Sequence, residues 1–160
     1  MKYLLIIYIM LSINFVYAQS TDDYIETLRS ELKTNKKTII TQTMEFTDQQ
    51  SSVFWPIYGE MEKELDELSN ERIANIKEFA ANYDNMNDEK ASELIKNSFD
   101  FQKDRMSLNE EYFDKFAEAL SPTVAAKFMQ LQQQIQLVVD LGIAANLPLV
   151  KKSVTNTNHK

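Results

Sequence analysis

The chain has 160 residues, with 24 acidic against 17 basic side chains for a formal net charge of -7, no cysteine and one histidine. That balance argues against a nucleic-acid binder, which needs a basic footprint, and removes disulfide bracing and Cys-centred chemistry. The length is that of a single domain able to bury a real core.

Residues 1–18 read as a cleaved signal peptide. Lys2 gives a positive start, Leu4–Met10 is an unbroken apolar run, and apolar character continues to Val16. Val16-Tyr17-Ala18 then places small residues where a signal peptidase reads. An uncleaved anchor is the competing reading, but the run falls short of the ~20 residues of a comfortable span, and Ser12 and Asn14 interrupt it. Losing Lys2 takes the charge from -7 to -8. With no cysteine there is no lipoprotein attachment site. The expected organisation is residues 1–18 as leader, 19–150 as one helical domain and 151–160 as a disordered polar tail.

The first predicted helix spans Thr21–Thr41. Thr21 can cap it, Asp22 and Asp23 suit its first turn, and Ile25, Leu28, Leu32 and Ile39 form a thin apolar stripe. The second runs over Asp48–Tyr83 and has the clearest start. Thr47 and Gln50 make a capping box, Asp48 complements the helix dipole, and Phe46 stands just before the cap. Phe54, Ile57, Tyr58 and Met61 follow at helical spacing, then Leu65, Leu68, Ile76, Phe79 and Tyr83. Pro56 is expected to kink or split this helix, with Gly59 loosening the same place. Beside the apolar stripe, Glu60, Glu64, Glu67 and Glu71 share one side. They read either as a solvated face or as a strip that docks a cation or a basic client.

Phe46-Thr47-Asp48-Gln49-Gln50 resembles the LTXXQ motif of the Spy/CpxP group of small helical periplasmic proteins, with Phe for the leading Leu. The run Phe54-Trp55-Pro56-Ile57-Tyr58 is similar to that of secreted members of a Bacteroidetes-type branch. Met86-Asn87-Asp88-Glu89-Lys90 is a weaker echo, in which Asn87 keeps the cap and Lys90 replaces Gln. The resemblance covers about Thr21–Val150. It implies an all-α protein of four helices in long antiparallel hairpins, a homodimer, and a periplasmic place. It further implies an ATP-independent chaperone of the holdase type for unfolded or membrane-associated proteins. The alternative implied by the same family is a regulator that partners a membrane-bound stress sensor, of sigma-factor or histidine-kinase type.

A polar turn over 82–87 precedes the third helix, Asp88–Leu120. One line of that helix is Leu94, Phe101, Leu108, Tyr112 and Phe116; a second is Ile95, Phe99, Met106, Phe113 and Leu120. So wide an apolar face fits a central helix, or one that serves both a core and a second interface. Ser121-Pro122 is a strong helix start. The fourth helix carries Val124, Phe128, Leu131, Ile135 and Val138 as a coiled-coil-like seam, with glutamines around it. Leu137–Val150 is apolar on most sides and needs cover, from the bundle or from a partner.

Catalytic groups are scarce. The only histidine, His159, is in the terminal stretch, which removes His-based triads and the His-containing zinc and di-iron patterns. Ser30-Glu31-Leu32-Lys33 matches S-x-x-K without its partner motifs. We therefore expect no enzyme, no cofactor, no metal site and no small-molecule substrate. The cluster Phe54, Trp55 and Tyr58 reads as core or as part of a groove for apolar client segments. The export reading is checked by the intact mass of protein recovered from the periplasm, expected to begin at Gln19; a product that retains Met1–Ala18 in the cytoplasm would refute it.

Overall fold

A computed structural model describes residues 34–151. The expected leader, the start of the first helix at Thr21 and residues 152–160 lie outside the described residues. The chain divides into two units, one ending at Glu45 and the other beginning at Phe46.

In the first unit, residues 34–44 form helix α1, three residues beyond the predicted end at Thr41. Thr38 and Thr41 donate their hydroxyls to the carbonyls of Thr34 and Lys37, at 3.1 and 2.8 Å. These bonds occupy hydroxyls that would otherwise compete for the backbone. Glu45 then takes a φ of 52°, the left-handed turn that commonly ends a helix.

The second unit consists of α2 (Asp48–Asn82), a short 3-10 turn (Tyr83–Asn85), α3 (Asp88–Ala119) and α4 (Pro122–Asn146). Together with α1 it makes an all-α fold of four helices, with no strand among the described residues. Each start follows its caps. Thr47 Oγ1 accepts from the Gln50 amide at 3.2 Å, and Gln50 Oε1 accepts from the Thr47 amide at 3.0 Å. Asn87 Oδ1 accepts from the Lys90 amide at 2.8 Å, and Ser121 Oγ from the Val124 amide at 3.2 Å. Each cap satisfies a donor that the first helical turn leaves orphaned. α2 is one continuous helix through the exposed Pro56.

α3 lies between α2 and α4 and runs antiparallel to both, as the pairings Tyr112–Glu64 and Asn75–Leu94 with α2 and Arg105–Asp140 and Phe116–Phe128 with α4 show. Its first predicted line is buried throughout: Leu94, Phe101, Leu108, Tyr112 and Phe116. α2 contributes Phe54, Tyr58, Met61 and Leu65. α4 contributes Ala125, Phe128, Met129, Leu131 and Gln132.

This α4 face departs from the predicted seam. Val138 is 71% exposed, and Val139 is partly buried in its place. The cause is geometric. A 3.5-residue repeat drifts by ~20° per heptad on a straight helix, so a seam read over two heptads leaves the buried face.

At one end the rings of Phe54, Phe116 and Phe128 meet pairwise, with centroids 4.8 to 5.0 Å apart. Phe46, just before the cap, lies 4.4 Å from Phe54.

Two substitutions test this account by chemical denaturation. Thr47→Ala should destabilise by ~1 kcal/mol through loss of the cap. Gly59→Ala should stabilise by up to ~1 kcal/mol, since an added Cβ there meets nothing within 4 Å. A destabilising Gly59→Ala would mean that the helix needs the glycine.

Candidate interaction surface

The residues that carry the motif resemblance act as structure. Phe46 packs on Phe54, Thr47 and Gln50 form the box, and Asn87 caps α3. Lys90, which breaks the second box, reaches Glu78 on α2 and Glu93 on its own helix, each at 2.6 Å. Its hydrogen bonds to Glu78 and Glu93 hold the ammonium above the ordinary lysine range. The motif's departure thus ties α2 to α3.

The aromatic residues proposed for a client groove divide. Phe54 and Tyr58 are buried in the core and Trp55 is partly buried beside them. Burial, then the charge and hydrogen bond of Glu62, push the Tyr58 phenol up. The acidic strip divides as well. Glu60, Glu67 and Glu71 are exposed, whereas Glu64 accepts from the Tyr112 hydroxyl at 2.7 Å. Burial and that bond push Tyr112 up to about 12.

The exposed large apolar side chains lie elsewhere. On α3 they are Ile95, Phe99 and Met106, with Phe99 60% exposed; on α4 they are Leu137, Val138 and Leu141, with Leu141 69% exposed. These are the members of the second α3 line nearest its N-terminus, joined by the apolar α4 segment that needs cover. Met106, Leu137 and Leu65 line a shared cleft of about 360 Å³. In the same cleft, Asn109 Oδ1 and Gln132 Oε1 are buried without a donor, and Gln132 is only 4% exposed. The cleft therefore has apolar walls over two buried, unsatisfied acceptors, each of which costs stability where it stands.

A polar node, not foreseen from the sequence, holds this surface in place. Asp140 accepts from Arg72 of α2 at 2.6 Å, from Arg105 of α3 at 3.2 Å and from Gln136 at 3.0 Å. The Arg72 and Arg105 guanidiniums also lie over the Phe101 ring, 5.0 and 5.1 Å from its centroid, which is cation–π distance. The available signal was Asp140 itself, an acid inside the apolar run Leu137–Val150, since such a group needs a partner. Burial pushes its carboxyl up, but the Arg72 and Gln136 hydrogen bonds and the two arginine charges outweigh it, leaving the group below its usual range.

Among the described residues no group of three or more His, Cys, Asp or Glu could hold a metal ion, and no helix is long and apolar enough to cross a membrane. Comparison with family models, curated proteins and solved structures found no match.

The node sets a pH prediction. Asp140's folded value is depressed, so its contribution is complete above the ordinary 3.8 and is lost as pH falls through the lower folded value. Asp140→Asn should cost about 1–2 kcal/mol at neutral pH, the range for hydrogen bonds to a partly exposed charge. That difference should shrink toward zero in strong acid when both proteins are denatured with urea. A gap that persists unchanged there would mean that the carboxylate's charge is not what holds the node.

Proposed function

We propose that this chain is a binding protein of the bacterial periplasm that holds apolar segments of unfolded proteins without ATP. The observation that carries the reading is the exposed apolar surface of Ile95, Phe99, Met106, Leu137, Val138 and Leu141 on two well-capped helices. Single exposed apolar residues are ordinary, but six large ones on two adjacent helices, of which Met106 and Leu137 share one cleft, favour an interaction site. The LTXXQ-like start at Phe46–Gln50 and the signal-like residues 1–18 support a Spy/CpxP-type role and export. A second copy of the chain competes for the same surface, consistent with the homodimer that the resemblance implies.

Light scattering of a denatured client diluted into buffer tests the proposal. The protein should delay aggregation at near-stoichiometric ratios, and Phe99→Ser with Leu141→Ser should abolish most of the delay while leaving the helical far-UV spectrum intact. If a several-fold excess never delays aggregation, the holdase reading fails and the sensor-regulator reading takes its place.

A further inference from the structure

A second cleft, of about 570 Å³, opens toward the other end of the unit from the Phe54 cluster. It lies between the C-terminal half of α2, the N-terminal half of α3 and the segment that follows α4. That volume is within the range of ligand-sized pockets. Ile76, Phe79, Leu94, Phe101, Ile143 and Leu147 supply its apolar lining.

Its rim is acidic. Glu71, Asp100 and Asp104 line the cleft, are exposed, and make no ion pair with a described residue. The other charges there are already matched: Arg72 holds Asp140, and Glu78 holds Lys90. The lining thus offers apolar contact at its base and uncompensated negative charge at its edge.

The chain itself shows what suits this place. The non-helical stretch Leu147-Pro148-Leu149-Val150-Lys151 follows α4. Leu147, Pro148 and Val150 line the cleft. Lys151 then pairs with Asp84, and its ammonium lies 4.4 Å from the Tyr83 ring centroid. An extended apolar run that ends in a lysine is therefore docked against one side of the cleft, using an acid and an aromatic ring at the hairpin tip.

We propose that the open remainder of this cleft is a specificity site for an extended segment of another protein, apolar and flanked by lysine or arginine. Apolar side chains enter between α2 and α3, and the flanking cations meet Glu71, Asp100 and Asp104. Acidic or purely polar segments are rejected, the former by like charge and the latter by the loss of apolar burial. The proposal rests on the reading of the chain as a binder of apolar segments. It adds the place and the charge preference; the cleft shares Ile95 with the exposed apolar residues of α3 and α4 but does not include Met106 or Leu137.

Fluorescence anisotropy with the full chain and three labelled peptides tests it: an apolar core flanked by lysines, the same core flanked by glutamates, and a serine core flanked by lysines. The lysine-flanked apolar peptide should bind at least tenfold more tightly than either control, and less tightly as salt rises. Asp100→Asn and Asp104→Asn, both at exposed positions, should each weaken it by about two- to fivefold, the effect of one screened surface charge. Ala91→Trp should block the cleft, and backbone amide shifts on titration should fall near Asn97 and Ile143 rather than Leu137. Equal binding of the lysine- and glutamate-flanked peptides, no binding of any, or shifts confined to Leu137 and Met106 would each overturn the proposal. The light-scattering assay separates the two readings. Loss of charge preference with aggregation still delayed removes only this site. Intact preference with no delay removes only the holdase.

Discussion

The contact on which the rest depends is the meeting of Phe54, Phe116 and Phe128, one ring from each of α2, α3 and α4. α3 lies between the other two helices, so α2 and α4 meet through long side chains rather than close backbones. Large rings are suited to that span, because each buries much apolar area and prefers edge or offset contacts at these distances. Phe46, just before α2, and Trp55 on it extend the cluster. Away from it the ties between helices become increasingly polar: Tyr112 to Glu64, Arg72 and Arg105 to Asp140, Asn75 to the Leu94 carbonyl and Lys90 to Glu78.

This gradient explains where the surface features lie. Near the rings, apolar side chains from three helices fill the space between them. Further along, partly exposed ion pairs hold the helices in register while contributing less than full apolar burial would. There α3 retains two apolar lines but buries only one, so Leu94 and Phe101 face inward while Ile95 and Phe99 remain exposed. The Arg72–Asp140–Arg105 node suits this part of the fold. It fixes α4 against α2 and α3 without using the side chains of Leu137 and Leu141.

Local chemistry was the most legible part of the sequence. Thr47 with Gln50, Asn87, and Ser121 with Pro122 each fix a helix start through atoms within a few residues, and the observed caps use those atoms. The buried line from Leu94 to Phe116 was legible because its period matches the helix. The surface was harder to read. A stripe of apolar residues carries no mark that says whether it faces its own chain or solvent, so Ile95 and Leu94 look alike until the neighbouring helices are placed. Phe54 and Tyr58 allowed both a core and a groove reading for the same reason. The node's ion pairs join Asp140 to Arg105 and Arg72, 35 and 68 positions away, and no local pattern encodes such pairings. The buried Gln132 was likewise hidden among exposed glutamines.

Charge then bears on whether an exposed apolar surface associates with copies of itself. The formal net charge of -7 gives every copy the same sign, and mutual repulsion opposes contact that apolar surface alone would favour. The exposed acids Glu60, Glu67, Glu71, Asp100 and Asp104 place part of that charge on α2 and α3, the helices that also carry the apolar lines. Repulsion of this kind discriminates between partners. It weakens approach by acidic chains, this one included, and leaves basic apolar chains attracted. Self-association therefore has to be earned by complementary packing at a particular face, whereas a transient contact with a basic segment needs only proximity and modest burial. On the proposed reading, acids placed beside apolar side chains would make binding weak, reversible and charge-selective without any moving part in the fold.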